Sequence, residues 1–315
     1  MWPSRSVYGI LIDLLTISVL FAVQQILTSS LVKPNLETGF YCNDFSVNLE
    51  FKKSTVTNLH LIIISLVFPI VSILFIELLR SCFIFRNKNS NLPIHLVSLS
   101  SQKTIRVPEQ IGNLYANIGY FLFGLLFTNL ITNVGKLTIG RLRPNFLSVC
   151  QPNIQNLYTS DLCRTKTYLI PNIDFKCMQP NPKEVFDSRK SFPSGHSSLS
   201  FFSMVYLALF LSSVWQCRQL GKLLPRTIQL TLITFALFVA LSRVSDHKHH
   251  PTDVIAGSLI GILCALFTFS YHRRFLNEYN YKIGGYHSVG QKEDLNEPSG
   301  RLTVLENSNA TKSRV

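Results

Sequence analysis

Twelve residues, SRVSDHKHHPTD from Ser242 to Asp253, combine three histidines with two aspartates, an arginine and a lysine. His249 and Asp253 are four residues apart, so on a helix their side chains would lie on the same face. A carboxylate at that spacing can accept a hydrogen bond from one imidazole nitrogen, which leaves the other nitrogen free as a nucleophile. Arg243 would add a forked donor that suits phosphate oxygens.

A metal site is the rival interpretation of this stretch, because His247, His249, His250 and Asp253 are all ligand types. Their spacing matches no common zinc motif such as HExxH, and the neighbouring cations would repel a divalent ion. We therefore expect a site without a metal or any other cofactor. The residue types alone leave open whether His249 or His250 is the nucleophile.

A second polar cluster, RKSFPSGHSS, precedes an apolar stretch. Ser194 is a natural helix N-cap, and Gly195 lets a ligand approach the backbone closely. A helix that begins here would direct free N–H groups and the positive end of its dipole at an anion. His196, in the first turn, could donate a proton. The alternative is a capped helix that carries an ordinary histidine at a membrane interface.

A third cluster, GKLTIGRLRPNF, places Lys136 and Arg143 seven residues apart. On a helix that is almost two full turns, so both side chains would lie on one face about 10 Å apart along the axis. Pro144 then ends the helix. Two cations on one stripe could hold a phosphate, and the alternative is that they extend from the end of a span to the membrane interface.

The composition indicates where these clusters lie. Hydrophobic residues make up 47% of the 315 residues and charged residues only 15%, whereas soluble proteins carry about 25% charged residues. The chain is therefore predicted to be an integral membrane protein. Its 30 Lys and Arg against 17 Asp and Glu are then expected at membrane interfaces or around an anionic substrate rather than on nucleic acid.

Six apolar stretches are long enough to cross a bilayer core, which needs about 20 helical residues. They cover residues 8–27, 59–79, 111–134, 197–215, 228–243 and 252–271. The fifth is short and crosses only if Ser242 and Arg243 lie near the interface. The sequence thus predicts an all-α membrane domain over residues 1–276. The polar segment 277–315, rich in Gly, Ser and Asn, is typical of a disordered tail.

The order of the spans brings the three clusters together. Successive spans alternate in direction, so the end of the third, the start of the fourth, the end of the fifth and the start of the sixth share one side of the membrane. The positive-inside rule favours the opposite side as cytoplasmic, with both termini there. Four cysteines fall on the clusters' side, an even number that suits an oxidising compartment and allows three pairings: Cys42, Cys150, Cys163 and Cys177. The clusters are therefore expected to face the cell exterior or an organelle lumen.

Two acidic residues lie inside predicted spans. Asp13 and Glu77 could serve a transporter, but spans three to six are nearly free of such residues at their midpoints. Helix–helix hydrogen bonds, or for Glu77 a pair with Arg80, are the expected role.

Taken together, the clusters read Lys-x6-Arg-Pro, Pro-Ser-Gly-His and Ser-Arg-x5-His-x3-Asp. This tripartite pattern resembles the lipid phosphate phosphatases of the type 2 phosphatidic acid phosphatase superfamily, which also includes vanadium haloperoxidases and glucose-6-phosphatase. GFYCND at 39–44, the six spans and the loop lengths are similar to the animal members, so the resemblance covers nearly everything except the tail. It implies a helical core bundle of the superfamily's kind.

The resemblance also implies roles for individual residues. His249 would attack phosphorus, Asp253 would orient it, and His196 would protonate the leaving alcohol. The implied phosphate cradle comprises Lys136, Arg143, Ser194, Gly195 and Arg243. His247 and His250 have no role in the family pattern, and we expect them to be solvated or locally hydrogen-bonded.

Substrates implied by the resemblance are phosphatidate, lysophosphatidate, sphingosine 1-phosphate and ceramide 1-phosphate. The protein would bind them while it is surrounded by membrane lipids. The resemblance further implies self-association into homo-oligomers, and we expect the plasma membrane, with an internal membrane as the alternative. A catalytically silent scaffold or signalling relative is the competing class. Such relatives lack the nucleophile or the acid, whereas His249, His196 and Asp253 are all present here. The segment 135–196 contains no Asn-x-Ser/Thr acceptor, so glycosylation is not predicted there.

Overall fold

The computed structural model describes residues 5–29, 39–41, 44–86, 94–100, 103–153, 169–170, 176–214, 221 and 223–294. Among the cysteines on the clusters' side, Cys42 and Cys163 fall outside these ranges, as does the end of the expected tail, 295–315.

Within these described ranges, six helices are long and apolar enough to cross a membrane, and they match the predicted stretches in number and order. They are Val7–Thr28 (span 1), Asn58–Arg80 (span 2), Ile111–Ile139 (span 3), Gly195–Val214 (span 4), Leu223–Ser245 (span 5) and Pro251–Arg274 (span 6). Large apolar side chains such as Leu15 and Phe21 are exposed on their outer faces, as expected of helices that contact lipid.

Several helices extend beyond the predicted stretches. The helix of span 3 runs from Glu109 to Ile139 and therefore includes Lys136. It ends before Arg143, where Gly140 has a positive φ of 60°, so the expectation that Lys136 and Arg143 share one helical face is wrong. Span 5 begins at Leu223 and continues through Arg243. Pro225 lies in its first turn, where a proline costs no helical hydrogen bond. Span 2 is built from Asn58–Ile62, one π-helical turn at Ile63–Val67 and a helix over Phe68–Arg86.

Span 4 occupies the middle of the bundle. It packs against spans 2, 3 and 5, and two glycines bring it close to span 6. A Cβ at Gly257 would overlap the carbonyl oxygen of Ser194, and a Cβ at Gly261 would overlap that of Ser198. The Gly-x3-Gly spacing is one that lets membrane helices approach to backbone contact. The start of span 4 is thereby fixed against the start of span 6.

Polar side chains join four spans at the level of His272, about 22 Å along span 6 from Gly257 at 1.5 Å per residue. The hydroxyl of Tyr206 in span 4 lies 2.8 Å from Nδ1 of His272 in span 6. Nε2 of His272 lies 2.7 Å from Oδ1 of Asn117 in span 3, whose amide nitrogen donates to Glu77 in span 2 at 2.8 Å. This inner polar chain (Tyr206, His272, Asn117 and Glu77) leaves the Glu77 carboxylate partnered inside the bundle.

Both intramembrane acids have the role predicted for them. Glu77 Oε1 lies 3.6 Å from Arg80 Nη1, and Asp13 accepts a hydrogen bond from the hydroxyl of Tyr115 at 2.9 Å. The expectation of helix–helix hydrogen bonds and of a Glu77–Arg80 pair is confirmed.

The loop residues that the structure describes form two small sheets that an all-α expectation does not include. Ile94–Ser100 and Lys103–Pro108 form an antiparallel hairpin, whose first strand pairs in parallel with Arg5–Ser6. Phe40–Tyr41 pairs antiparallel with Leu169–Ile170. Short helices lie at Phe45–Val47, Phe146–Cys150 and Pro182–Ser188. The spans themselves are helical throughout, so the fold class is as predicted.

The chain divides into two compact units, Met1–Arg273 and Arg274–Val315. Within the second unit, the described residues are helical to Asp294, although the sequence there is typical of a disordered tail. The physical reason is cooperativity: each residue within a formed helix adds one hydrogen bond, so polar sequence can also be helical.

Candidate active site

The three polar clusters meet at one end of the spans. The N–H of Ser194 donates to the carbonyl oxygen of Asp253 at 3.0 Å, which joins the second cluster to the stretch from Ser242 to Asp253. A Cβ at Gly195 would lie 2.9 Å from the ammonium nitrogen of Lys136. Nη1 of Arg141 lies 2.6 Å from Oδ1 of Asp253. The convergence expected from the span order is therefore present.

Main-chain hydrogen bonds hold the segments that follow span 3 and precede span 4. The N–H of Arg143 donates to the carbonyl of Ser188 at 2.8 Å, and the N–H of Ser191 donates to the carbonyl of Arg141 at 2.9 Å. The two segments are thus fixed side by side at the site.

A disulfide joins Cys150, at the end of the short helix after span 3, to Cys177. It is one of the pairings that the sequence left open. Beside it lies a small apolar core outside the spans, formed by Phe40, Val47, Leu142, Phe146 and Cys150. The disulfide and this core anchor the loops around the site.

Ser194 caps span 4 as predicted. The helix begins at Gly195, and the hydroxyl oxygen of Ser194 accepts from the N–H of Ser197 at 3.4 Å. The first N–H groups of such a helix have no intrahelical partner and favour an anion. The lysine ammonium beside Gly195 adds a positive charge to the same place.

His249 is buried with one ring nitrogen engaged. Nδ1 lies 2.7 Å from the carbonyl oxygen of Ser191, and because a carbonyl only accepts, the ring proton is on Nδ1 and Nε2 keeps a free lone pair. Burial, and then the charges of Arg143, Lys136 and His196, lower the pKa of His249 well below its usual value. The ring is therefore neutral and nucleophilic at physiological pH.

The expected hydrogen bond between His249 and Asp253 is absent, because Nδ1 and Oδ2 are 3.9 Å apart. Oδ2 of Asp253 accepts instead from the hydroxyl of Ser191 at 2.5 Å and from the N–H of His250 at 3.0 Å. The reason is that the helix begins only at Pro251, so residue 249 precedes it and the helical i, i+4 geometry does not apply. The Asp253 carboxylate still lies close enough to act on His249 electrostatically.

His196 presents a free nitrogen inside the site. Its ring is hydrogen-bonded to the backbone of Val56, and its buried Nε2 has no hydrogen-bond partner among the residues that the structure describes. A buried polar atom without a partner is uncommon and calls for an explanation such as a ligand. Nε2 of His196 is therefore available to a substrate or leaving group.

Arg243 is buried and held on one side. Its Nε and Nη2 donate to the hydroxyl of Ser242 at 3.2 and 3.1 Å, and Nη2 also donates to Asp246 at 2.5 Å. These contacts leave Nη1 without a partner among the described residues. Arg243 can thus offer donors to an anion while the rest of its guanidinium is fixed.

Arg143 completes a strongly positive pocket wall. Its Nε is buried and has no hydrogen-bond partner in the described part of the chain, and burial lowers the pKa of its guanidinium. Lys248, whose ammonium lies 3.7 Å from the centre of the Phe51 ring, has its pKa lowered to about 8 by burial and then by Arg143. Cations buried together are costly unless an anion compensates them, so the site is suited to a phosphate.

The two other histidines of the stretch are hydrogen-bonded to distant segments of the chain, and the expectation that they are solvated or locally hydrogen-bonded is wrong. Nδ1 of His247 lies 2.9 Å from the carbonyl of Glu50, and Nε2 of His250 lies 3.1 Å from the carbonyl of Leu142. No group of three or more His, Cys, Asp or Glu side chains is arranged to hold a metal ion in the part of the chain that the structure describes.

Sequence reasoning missed four residues that contact the site: Arg141, Ser191, Asp246 and Lys248. Arg141 stands two positions before Arg143, and its charge was a usable signal. Asp246 and Lys248 lie inside the stretch that was analysed, but nothing in their spacing assigned them partners. Ser191 acts on His249 through its main-chain carbonyl, which leaves no signal in residue type.

Comparison with known proteins identifies the family of the chain. The sequence pattern of the PAP2 superfamily matches residues 117–276, and the chain belongs to that superfamily. It is 36% identical to a Drosophila melanogaster protein named "Putative phosphatidate phosphatase", over 85% of this chain and 69% of that protein. It is 31% identical to phospholipid phosphatase 2 of Homo sapiens, over 94% of this chain and 92% of that protein. Phospholipid phosphatase 1 of Mus musculus is 33% identical over 78% and 79% of the two chains.

No solved structure matches the chain. The superfamily and the six apolar helices together define a helical integral membrane protein of a phosphatase family, as the sequence predicted.

Proposed function

We propose that the protein hydrolyses lipid phosphate monoesters without a metal ion, through a phosphohistidine on His249. The substrates are phosphatidate, lysophosphatidate, sphingosine 1-phosphate and ceramide 1-phosphate. The names of the relatives and the cations at the ends of the spans support this assignment. A lipid can keep its chains in the bilayer while its phosphate reaches that end of the bundle.

In the first step Nε2 of His249 attacks phosphorus, and the bond from phosphorus to the lipid oxygen breaks. His196, which takes up a proton when the negative charge of the bound phosphate offsets the surrounding cations, gives that proton to the leaving oxygen, so the lipid departs as a neutral alcohol. The ring of His249 becomes imidazolium-like, and its Nδ1–H continues to donate to the Ser191 carbonyl. Asp253 stabilises the positive charge from 3.9 Å.

In the second step His196, now neutral, takes a proton from water as the water oxygen attacks the phosphohistidine. The bond from nitrogen to phosphorus breaks, inorganic phosphate leaves, and both histidines return to their starting states. Lys136, Arg143, Arg243, Ser194 and the Gly195 amide would bind the phosphoryl oxygens throughout. Such fixed donors favour a transition state in which charge builds on those oxygens.

The observation that carries the proposal is the state of His249. Its proton is held on Nδ1 and its free Nε2 lies among buried cations. A nucleophile next to an anion site is the minimum that phosphoryl transfer to histidine needs.

The site is proposed to face the cell exterior or a lumen, with both termini in the cytoplasm and the plasma membrane as the location. The distribution of Lys and Arg among the loops supports this orientation. The Cys150–Cys177 disulfide adds support, because disulfides persist in oxidising compartments. We further propose that residues 1–276 form the phosphatase domain, that 277–315 act as a cytoplasmic tail, and that chains self-associate.

The test measures phosphate release from short-chain phosphatidate in detergent micelles with EDTA present. We expect release by the wild type, and none by His249→Ala. His287→Ala is the matched control, since it makes the same change at a histidine after the six spans and outside the three motifs. The control should keep most of the activity.

Three results would contradict the proposal in different ways. Loss of wild-type activity in EDTA would indicate a metal site. Full activity in His249→Ala would mean that another group is the nucleophile. A folded wild type that releases phosphate from no lipid phosphate would favour the silent scaffold or signalling relative.

A further inference from the structure

Asp246 is a buried carboxylate that the three motifs do not include. Its Oδ2 accepts from Nη2 of Arg243 at 2.5 Å and from the N–H of Thr55 at 2.8 Å, and its Oδ1 accepts from the Thr55 hydroxyl at 2.7 Å. Asp246 is only 5% exposed. One carboxylate therefore joins the arginine at the end of span 5 to the loop that precedes span 2.

The loop residues at this contact also reach the second histidine of the site. Val56, next to Thr55, is hydrogen-bonded through its backbone to the ring of His196. Two residues after Thr55, Thr57 caps span 2 and accepts from the N–H of His60 at 3.3 Å. The pair Thr55–Val56 is thus attached directly to the start of a helix.

Further contacts hold the same loop across the site. The carbonyl of Glu50 lies 2.9 Å from Nδ1 of His247, and the N–H of Leu49 donates to the carbonyl of Pro144 at 2.8 Å. The loop is therefore part of the wall of the site on two sides.

A carboxylate beside an anion-binding arginine presents an electrostatic problem. The charge of Asp246 repels phosphate, so by charge alone it weakens the cradle. Its contribution must then be geometric. A guanidinium has five donors in one rigid plane, and fixing Nη2 and Nε on Asp246 and Ser242 determines where the remaining Nη1 donors point.

We propose that Asp246 and Thr55 are positioning residues: together they aim Arg243 at the substrate phosphate, and through Val56 they keep His196 in register with it. This contact, which we call the Thr55–Asp246 clasp, makes the loop before span 2 a fourth component of the site. The proposal rests on the proposed function only in naming the anion as a substrate phosphate.

The test compares Asp246→Asn, Thr55→Val and Thr55→Ser in the full-length protein in micelles. We measure kcat and KM for short-chain phosphatidate, and the rise in unfolding temperature caused by orthovanadate, a phosphate analogue. For Asp246→Asn we expect KM to rise and vanadate affinity to fall by about tenfold, the size of one lost hydrogen bond to a charged group. If Asp246 merely offsets charge, the same variant would bind vanadate more tightly, and the proposal would be wrong.

Thr55→Val removes the hydroxyl at nearly constant volume, and we expect a loss of about threefold to tenfold that Thr55→Ser restores. In the double variant Asp246→Asn with Thr55→Val, the losses should not add, because both changes break the same contact. Additive losses, or a serine variant as impaired as the valine variant, would overturn the clasp.

Two matched controls separate the clasp from general damage. Asp44→Asn changes a carboxylate that accepts from Ser46 in the same loop, and asparagine caps equally well. Ser54→Ala removes the neighbouring hydroxyl. Both should match the wild type, and a control as impaired as the clasp variants would refute a specific role. Orthovanadate binding is measured without turnover, so it tests the clasp even if the wild type fails to hydrolyse lipid phosphates.

Discussion

The distance between His249 and Asp253 leads to a quantitative prediction for Asp253→Asn. The carboxylate makes no hydrogen bond to the ring, since Oδ2 is 3.9 Å from Nδ1. Its hydrogen-bond donors are Ser191, His250 and Arg141. Asparagine has nearly the same size and keeps one oxygen for these donors. The substitution therefore removes mainly a charge, and the Nδ1–H of His249 still donates to the carbonyl of Ser191.

The magnitude follows from Coulomb's law. A full negative charge at 3.9 Å stabilises a positive imidazole ring by about 4 kcal/mol at an effective dielectric constant of about 20. Arg141, at 2.6 Å from the other carboxylate oxygen, cancels part of this effect. We expect a net loss of about 2 to 3 kcal/mol in the transition state, which corresponds to about a hundredfold in kcat.

The assay is steady-state hydrolysis of short-chain phosphatidate in micelles, with kcat and KM determined separately. Because the positive charge on His249 develops only as the ring attacks, the loss should fall on kcat and leave KM nearly unchanged. Ser191→Ala is the companion variant: it removes a hydroxyl bonded to Asp253 but keeps the carbonyl that holds His249, so it should lose less than about fivefold. A loss of kcat in Asp253→Asn that is smaller than about fivefold, or a loss that appears mainly in KM, would refute the electrostatic reasoning.

Three further predictions concern packing, covalent structure and pH. Gly257→Ala should lower the unfolding temperature in micelles, because its Cβ would overlap the start of span 4. Gly119→Ala should be neutral or stabilising, because no described atom outside its own helix backbone lies within 4 Å of its Cβ. Equal shifts in the two variants would contradict the packing argument. Reducing the Cys150–Cys177 disulfide, whose cysteines are 27 residues apart, should lower the free energy of unfolding by about 3.5 kcal/mol through loop entropy. Thermal unfolding with and without reductant measures this loss, and an unchanged transition would contradict the prediction. Lys248, with its pKa near 8, loses its charge above that pH, so KM should rise between pH 7 and 9 in the wild type and rise less steeply in Lys248→Gln, where Lys136 is the remaining lysine of the site. Equal rises in the two proteins would exclude Lys248 from anion binding.

Much of the fold was predictable because the signals are local. Span positions follow from runs of apolar residues, and alternation of direction then places the clusters on one side. The cap at Ser194 follows from residue type and the apolar helix that comes after it. These inferences need no knowledge of which spans touch.

The remaining features depend on contacts between distant segments. Thr55 and Asp246 are 191 residues apart, and neither has a spacing that suggests the other. The His249–Asp253 hydrogen bond was expected from helical spacing, but the helix starts two residues after His249. The carbonyl of Ser191 that takes its place belongs to the backbone and could be found only from the folded chain.

The glycine contacts between spans 4 and 6 have a consequence for protein engineering. At Gly257 and Gly261 the two helices meet main chain to main chain, so the spacing between the two histidine-bearing segments does not depend on the side chains that contact lipid. We therefore expect polar substitutions on the outer faces of spans 1 and 2, where residues such as Leu15 and Phe75 are exposed, to leave that spacing unchanged. The molecule is in this respect a candidate for conversion into a water-soluble enzyme, in which the interior is kept and only the surface is redesigned.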